Sequence, residues 1–275
     1  MNSRKSVVLL LTAFALMCVA APLMISAQDA GQAVPVTPPP SRRIEPPPAN
    51  ATPTDLEDHG DQLRGEKAYL DALDYYQAAQ KKLQKGPALS QLMNKIGITQ
   101  FQMQRFDDSR KSYEKSIKLD KTYSKPYNNL GVVHYMNHRY GRAIKYYKRA
   151  IELEPTSASF YSNLGSAYFA MKKFDQAVPA YQQALQLDPD IFERRSQVGI
   201  VAQMSSPEDR AHYSYVMAKM YAQMGMFDRS LLYLRRAMEE GYKDVNDCLK
   251  DSEFAQLRKD PRFNDLMTQR PPSIP

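Results

Sequence analysis

The chain has 275 residues, 43% of them hydrophobic, and 37 lysines and arginines against 30 acidic residues give it a net charge of +7. Such a chain can bury a large core in one domain or two, and its cationic surface favours acidic proteins, anionic lipid headgroups or polyanionic envelope polymers as partners. Its only cysteines are Cys18 and Cys248, so no internal disulfide can form once the N-terminal segment is removed.

Arg4 and Lys5 precede an uncharged run from Val7 to Ala27. The run is apolar enough to enter a bilayer while the two cations hold the extreme N-terminus inside, which reads as an export signal. Everything after it is expected outside the cytoplasm. Ala27 offers a small residue for cleavage, yet Ile25 stands two residues earlier, where a smaller side chain is usual. Residues 1–27 are therefore either a cleaved signal peptide or an uncleaved signal anchor, since roughly 20 apolar residues suffice to span a bilayer. In the second case residues 7–27 tether the chain to the membrane. Lipid attachment at Cys18 fits less well, because Met17 is bulkier than lipoprotein processing prefers.

Residues 28–52 contain the run PVTPPPSRRIEPPPAN, with two proline triplets and little that could form a core. Proline fixes its own dihedral and disfavours helix in the residue before it, so this segment reads as an extended, semi-rigid tether.

After it the sequence repeats with a period of 34. Gly165, Gly131 and Gly97 are equivalent, and Gly60 joins them after a three-residue insertion. Ala177, Ala143 and Ser109 form a second series, Tyr181, Tyr147, Tyr113 and Tyr76 a third, and Ala184, Ala150, Ser116 and Ala79 a fourth. Each frame holds two apolar stripes at helical spacing separated by a polar break such as MKKFD or MNHRY, so each is a helix hairpin. Small residues let the two helices approach, the tyrosines fill the gap between hairpins, and Pro155 and Pro189 close two of the units. Pro179 falls near the start of a second helix, where its missing amide costs least.

The segments NNLGVVHY…RYGRAIKYYKRAIELEP and SNLGSAYF…KFDQAVPAYQQALQLDP closely resemble the tetratricopeptide repeat family. MNKIGITQFQMQRFDDSRKSYEKSIKLD resembles it well, HGDQLRGEKAYLDALDYYQAAQKKL more weakly, and YSYVMAKMYAQMGMFDRSLLYLRRAMEEG supplies a fifth unit with Ala218 at the glycine position. The resemblance implies an all-α, right-handed superhelical solenoid of about five helix-turn-helix units: four over residues 53–191, an insert at 192–210, and a fifth at 211–244. Residues 245–275 are expected to form a capping helix and tail, with Leu249, Phe254, Leu257, Phe263 and Leu266 turned inward.

In family register the concave face would carry Asn94, Ile98 and Phe101 from the second unit, Asn128 and Tyr135 from the third, and Ser162, Asn163 and Phe169 from the fourth. Asparagine can pair with the backbone of an extended peptide, and the rings add apolar contacts, so this set is the candidate partner-binding groove. The same residue types also belong to the ordinary packing pattern of the repeat. The lysine and arginine clamp with which some family members hold a terminal carboxylate is missing, since Asn94, Asn128 and Ser162 take those places.

No catalytic motif accompanies the repeats. His134 and His138 have the four-residue spacing of paired metal ligands but no third ligand, so both read as structural. Arg139, Arg142, Lys145, Lys148 and Arg149 make a basic series on the third unit's second helix. The sequence thus predicts an exported, non-catalytic scaffold or adaptor of the cell envelope, with a protein or peptide partner and without cofactor, metal or nucleic acid. An envelope enzyme subunit whose insert supplies the chemistry, or a polyanion and membrane-surface binder, are the alternatives.

Overall fold

The computed structural model describes residues 46–192 and 206–273. The predicted signal or anchor, most of the tether and residues 193–205 of the insert lie outside the described residues. Among these, all regular structure is helical and begins with ten helices paired as five hairpins. They are α1 (Pro53–Gly65) with α2 (Tyr69–Lys82), α3 (Pro87–Gln102) with α4 (Phe106–Leu119), α5 (Lys125–Met136) with α6 (Tyr140–Leu153), α7 (Ala158–Ala170) with α8 (Phe174–Leu187), and α9 (Pro207–Gln223) with α10 (Phe227–Glu239). Three short 3-10 turns and α11 (Pro261–Thr268) follow. None of the described helices is long and apolar enough to cross a membrane.

The first helix starts where the proline-rich segment ends. The Thr52 hydroxyl accepts from the Asp55 amide, the Asp55 carboxylate accepts from the Thr52 amide, and Pro53 takes the first helical position, which completes a capping box. Ser206 and Pro207 repeat this at α9, where the Ser206 hydroxyl accepts from the Asp209 amide at 3.0 Å. The fifth unit therefore begins at Pro207, inside the span assigned from sequence to the insert.

Every hairpin turns in the same way. In the second unit the Gln104 amide donates to the Phe101 carbonyl and the Arg105 amide to the Gln100 carbonyl, the crossed pair of bonds that ends a helix through a left-handed residue. The equivalent left-handed residues are Lys67, Gln104, His138, Lys172 and Gly225, with φ of 63°, 60°, 55°, 58° and 72°. Four units hold a side chain in this conformation and only the fifth uses glycine.

Within each hairpin the helices cross at the glycine. A Cβ placed on Gly60, Gly97, Gly131 or Gly165 would sit 2.5–2.6 Å from the ring of Tyr76, Tyr113, Tyr147 or Tyr181, sixteen residues later, and all four rings are at most 1% exposed. The fifth unit solves the same crossing differently: Ala218 replaces the glycine, and the buried Leu234 stands in place of the tyrosine.

The C-terminal segment closes the stack with Cys248, Phe254, Leu257, Phe263 and Leu266 buried against the fifth hairpin. Leu249, expected inward, is 49% exposed. The α-helical spacing that put it there does not hold, because Val245–Leu249 is a 3-10 turn, and Val245 and Cys248 point inward instead. Burial pushes the Cys248 thiol up to about 11, as suits a packing residue rather than a reactive one.

Candidate functional site: the joint between the fourth and fifth hairpins

The polar residues assigned to the groove form a ladder that runs from unit to unit. Asn129 Nδ2 donates to Asn94 Oδ1 at 2.9 Å, and Asn163 Nδ2 donates to Asn128 Oδ1 at 2.9 Å. Lys95 and Glu57 hold the equivalent positions one step earlier and pair at 2.6 Å, with Asp61 taking a second bond from the same ammonium. Asn94, Asn128 and Asn163 are 2–3% exposed, so their amide groups are already committed to neighbouring hairpins. Ser162 continues the register but is buried, and its carbonyl accepts from the Ser166 hydroxyl at 3.0 Å.

The aromatic residues of that set pack within their own hairpins. Phe101 meets Phe106, Tyr135 meets Tyr140 and Phe169 meets Phe174, edge to face, with ring centroids 5.1, 5.0 and 5.0 Å apart. Each pair bridges the turn, five residues apart. Ile98 is half-buried against the same core. Groove recognition by these eight residues would thus compete with contacts that hold the stack together.

The ladder stops at the fourth unit, because Tyr215 and Val216 occupy the fifth unit's equivalents of Ser162 and Asn163. Here α8 and α9 separate and leave a cleft of 570 Å³. Val178, Pro179 and Gln182 of α8 form one wall, and Val216, Lys219 and Met220 of α9 form the other. Gln182 Nε2 donates to Gln223 Oε1 at 3.1 Å across it. Beyond it Arg229 bonds to the Pro189 carbonyl and the Asp190 carboxylate, tying the fifth unit back to the end of the fourth.

One side of this cleft is aromatic. His212 lies edge-on to Phe174 at 4.3 Å and stacks near Tyr242 at 5.6 Å, and Tyr242 stacks on Tyr215 at 4.5 Å. The floor is charged: Lys219 pairs with Asp251 at 2.9 Å and Glu253 at 3.2 Å, while the Tyr215 hydroxyl donates to Asp251 at 2.8 Å. Burial alone would raise the Asp251 carboxyl, but the Lys219 and Tyr215 bonds outweigh it and hold it below the ordinary value. Burial pushes the His212 imidazole down, and Asp209 and Asp244 recover only part of the shift. None of these cleft residues belongs to the candidate set read from the sequence. Their one sequence signal is the broken period, which marks the joint without naming its walls.

The basic series forms a second surface feature. Arg139, Arg142 and Lys145 line an open hollow of 480 Å³ with His138 and Met171, and among the described residues none of the three pairs with a carboxylate. His134 lies inside, stacked on Tyr146 at 5.2 Å, whereas His138 sits in the left-handed turn and bonds Tyr140, so the two imidazoles do not converge. No cluster of three or more potential ligands suited to a metal occurs among the described residues.

None of the curated proteins matches the chain. Three solved structures share its helical arrangement: a crystal structure of MamA (24% identity, 68% of this chain and 96% of that one, TM-score 0.46), MamA 41-end from Desulfovibrio magneticus RS-1 (16%, 70% and 97%, 0.48), and TTC0263, a thermophilic TPR protein in Thermus thermophilus (20%, 72% and 96%, 0.47). Residues 90–123, 124–157 and 158–191 each match a tetratricopeptide repeat family model. The second, third and fourth hairpins are therefore three tandem tetratricopeptide repeats.

Proposed function

We propose that this protein is a non-catalytic interaction scaffold, exported to the cell envelope, that holds a segment of a partner protein in the cleft between its fourth and fifth hairpins. The observation that carries the reading is the interruption of the stack. Elsewhere the inner polar and aromatic residues are consumed by the ladder and by turn-bridging pairs, whereas at this joint aromatic and charged side chains line open space. Export rests on Arg4, Lys5 and the uncharged run from Val7 to Ala27. Cell fractionation and N-terminal sequencing test it: envelope recovery with the N-terminus at Gln28 fits a cleaved signal, envelope recovery with an intact N-terminus fits an anchor, and a purely cytoplasmic protein contradicts export.

The scaffold reading is tested by affinity capture from solubilised envelopes with the full chain and with Pro179→Trp, which fills the cleft from an exposed position. A stoichiometric partner lost on filling fits the reading. A partner retained by the filled variant, or substrate turnover by the protein alone, contradicts it. The unpaired Arg139, Arg142 and Lys145 favour a second, weaker role in holding a polyanion or an anionic surface, which added salt would abolish at millimolar to molar strength.

A further inference from the structure

The geometry points to a cationic segment, an extended stretch of partner protein bearing arginine or lysine, as the occupant of the cleft between α8 and α9. The inference rests on the scaffold reading above and adds the chemistry of what is held. Around the 570 Å³ cleft, Asp175, Asp247, Asp251 and Glu253 face a single ammonium, that of Lys219. Lys219 is already shared between Asp251 and Glu253, so it is committed to the floor. Asp175 and Asp247 are exposed on the rims, and among the described residues no cation pairs with either. This local excess of negative charge sits in a chain whose net charge is +7, so it opposes the rest of the surface.

Two further features select for a cation with a flat, donor-rich head. Phe174, His212, Tyr242 and Tyr215 present a continuous aromatic side, and a guanidinium or ammonium is attracted to ring faces as well as to carboxylates. Pro179 has no amide hydrogen, so the Asp175 carbonyl four residues earlier loses its helical donor on the wall that carries the free Asp175 carboxylate. Guanidinium offers five donors to satisfy such acceptors, whereas an anionic segment would meet carboxylates at both rims.

Fluorescence anisotropy with the full chain tests this, using a labelled decapeptide with two arginines three residues apart and matched versions in which glutamate or leucine replaces both. The arginine peptide is expected to bind at least about tenfold more tightly than either relative, against the overall repulsion of a cationic protein. Asp175→Lys/Asp247→Lys should abolish that preference, while Asp58→Lys/Asp107→Lys, the same change in net charge at exposed positions elsewhere, should leave it within about twofold. Unchanged circular dichroism and melting midpoint establish that both variants fold. Equal binding of all three peptides, no binding at all, or a preference that survives the rim variant overturns the inference. Binding of the leucine peptide that Pro179→Trp blocks, with no advantage for arginine, overturns the cationic occupant while leaving the scaffold reading intact. Reversible self-association by sedimentation, lost in the rim variant, assigns the cleft to a second copy of the chain and also overturns it.

Discussion

At the scale of single residues, one position decides whether a buried tyrosine is satisfied. The residue after each glycine is Asp61, Ile98, Val132 and Ser166 in the first four units. Asp61 accepts from the Tyr76 hydroxyl at 2.6 Å and Ser166 from the Tyr181 hydroxyl at 3.3 Å, but Val132 offers nothing and the Tyr147 hydroxyl is buried without a partner. Removing a bonded hydroxyl costs about 0.5–1.5 kcal/mol, whereas removing an orphan relieves its desolvation. Urea unfolding should therefore show Tyr76→Phe destabilised and Tyr147→Phe neutral or stabilised. The glycine crossing gives a sharper test. Gly131→Ala forces a methyl into the Tyr147 ring and should cost about 1–3 kcal/mol. Adding Tyr147→Leu copies the Ala218 and Leu234 solution of the fifth unit and should recover part of that loss in a double-mutant cycle. The glycine and tyrosine series were visible in the sequence as series, yet their contact was not, because sixteen residues of separation carry no local period.

At the scale of helices, the turns and the ladder account for what repeats. The left-handed residue is a lysine, glutamine or histidine in four units, so no glycine or proline marks those turns; only the polar breaks between apolar stripes did. The asparagines were legible as a pattern, but which surface they serve depends on the offset between adjacent hairpins, which no single unit encodes. Truncating Asn129 to alanine leaves the Asn94 carbonyl buried without its donor and should cost about 1–3 kcal/mol, read as a lower urea midpoint, with Asn94→Ala/Asn129→Ala costing less than the sum of the singles. A further expectation concerns pH. Burial, reinforced by Arg142, Arg139 and Arg110, lowers the His134 imidazole, and burial lowers His212 as well. The unfolded chain protonates first, near the ordinary value of about 6.5, so this stability is complete above that pH and is lost as pH falls below it. The urea midpoint should drop between neutral and mildly acidic pH, and less so in His134→Phe, which keeps the ring stacked on Tyr146.

At the scale of the whole molecule, the fold follows from a repeat strong enough to be read by eye, while the candidate site follows from where the repeat fails. Regularity makes residues equivalent, and equivalent residues pack against one another; the ladder and the turn-bridging rings are the result. Open, chemically distinctive surface is left where the fourth and fifth units fall out of step. The sequence marked that break at residues 192–210, but the cleft walls come from α8, α9 and the 3-10 turns, which lie up to about 75 residues apart and share no motif. The most direct test of the account is site-specific photo-crosslinking in the cells that make the protein, with a reactive side chain at position 179 on the cleft and, as a control, at the exposed position 111 on α4. The account predicts one discrete adduct from position 179, absent from position 111 and competed by the arginine decapeptide. No adduct at position 179, or the same adduct from both positions, would contradict it.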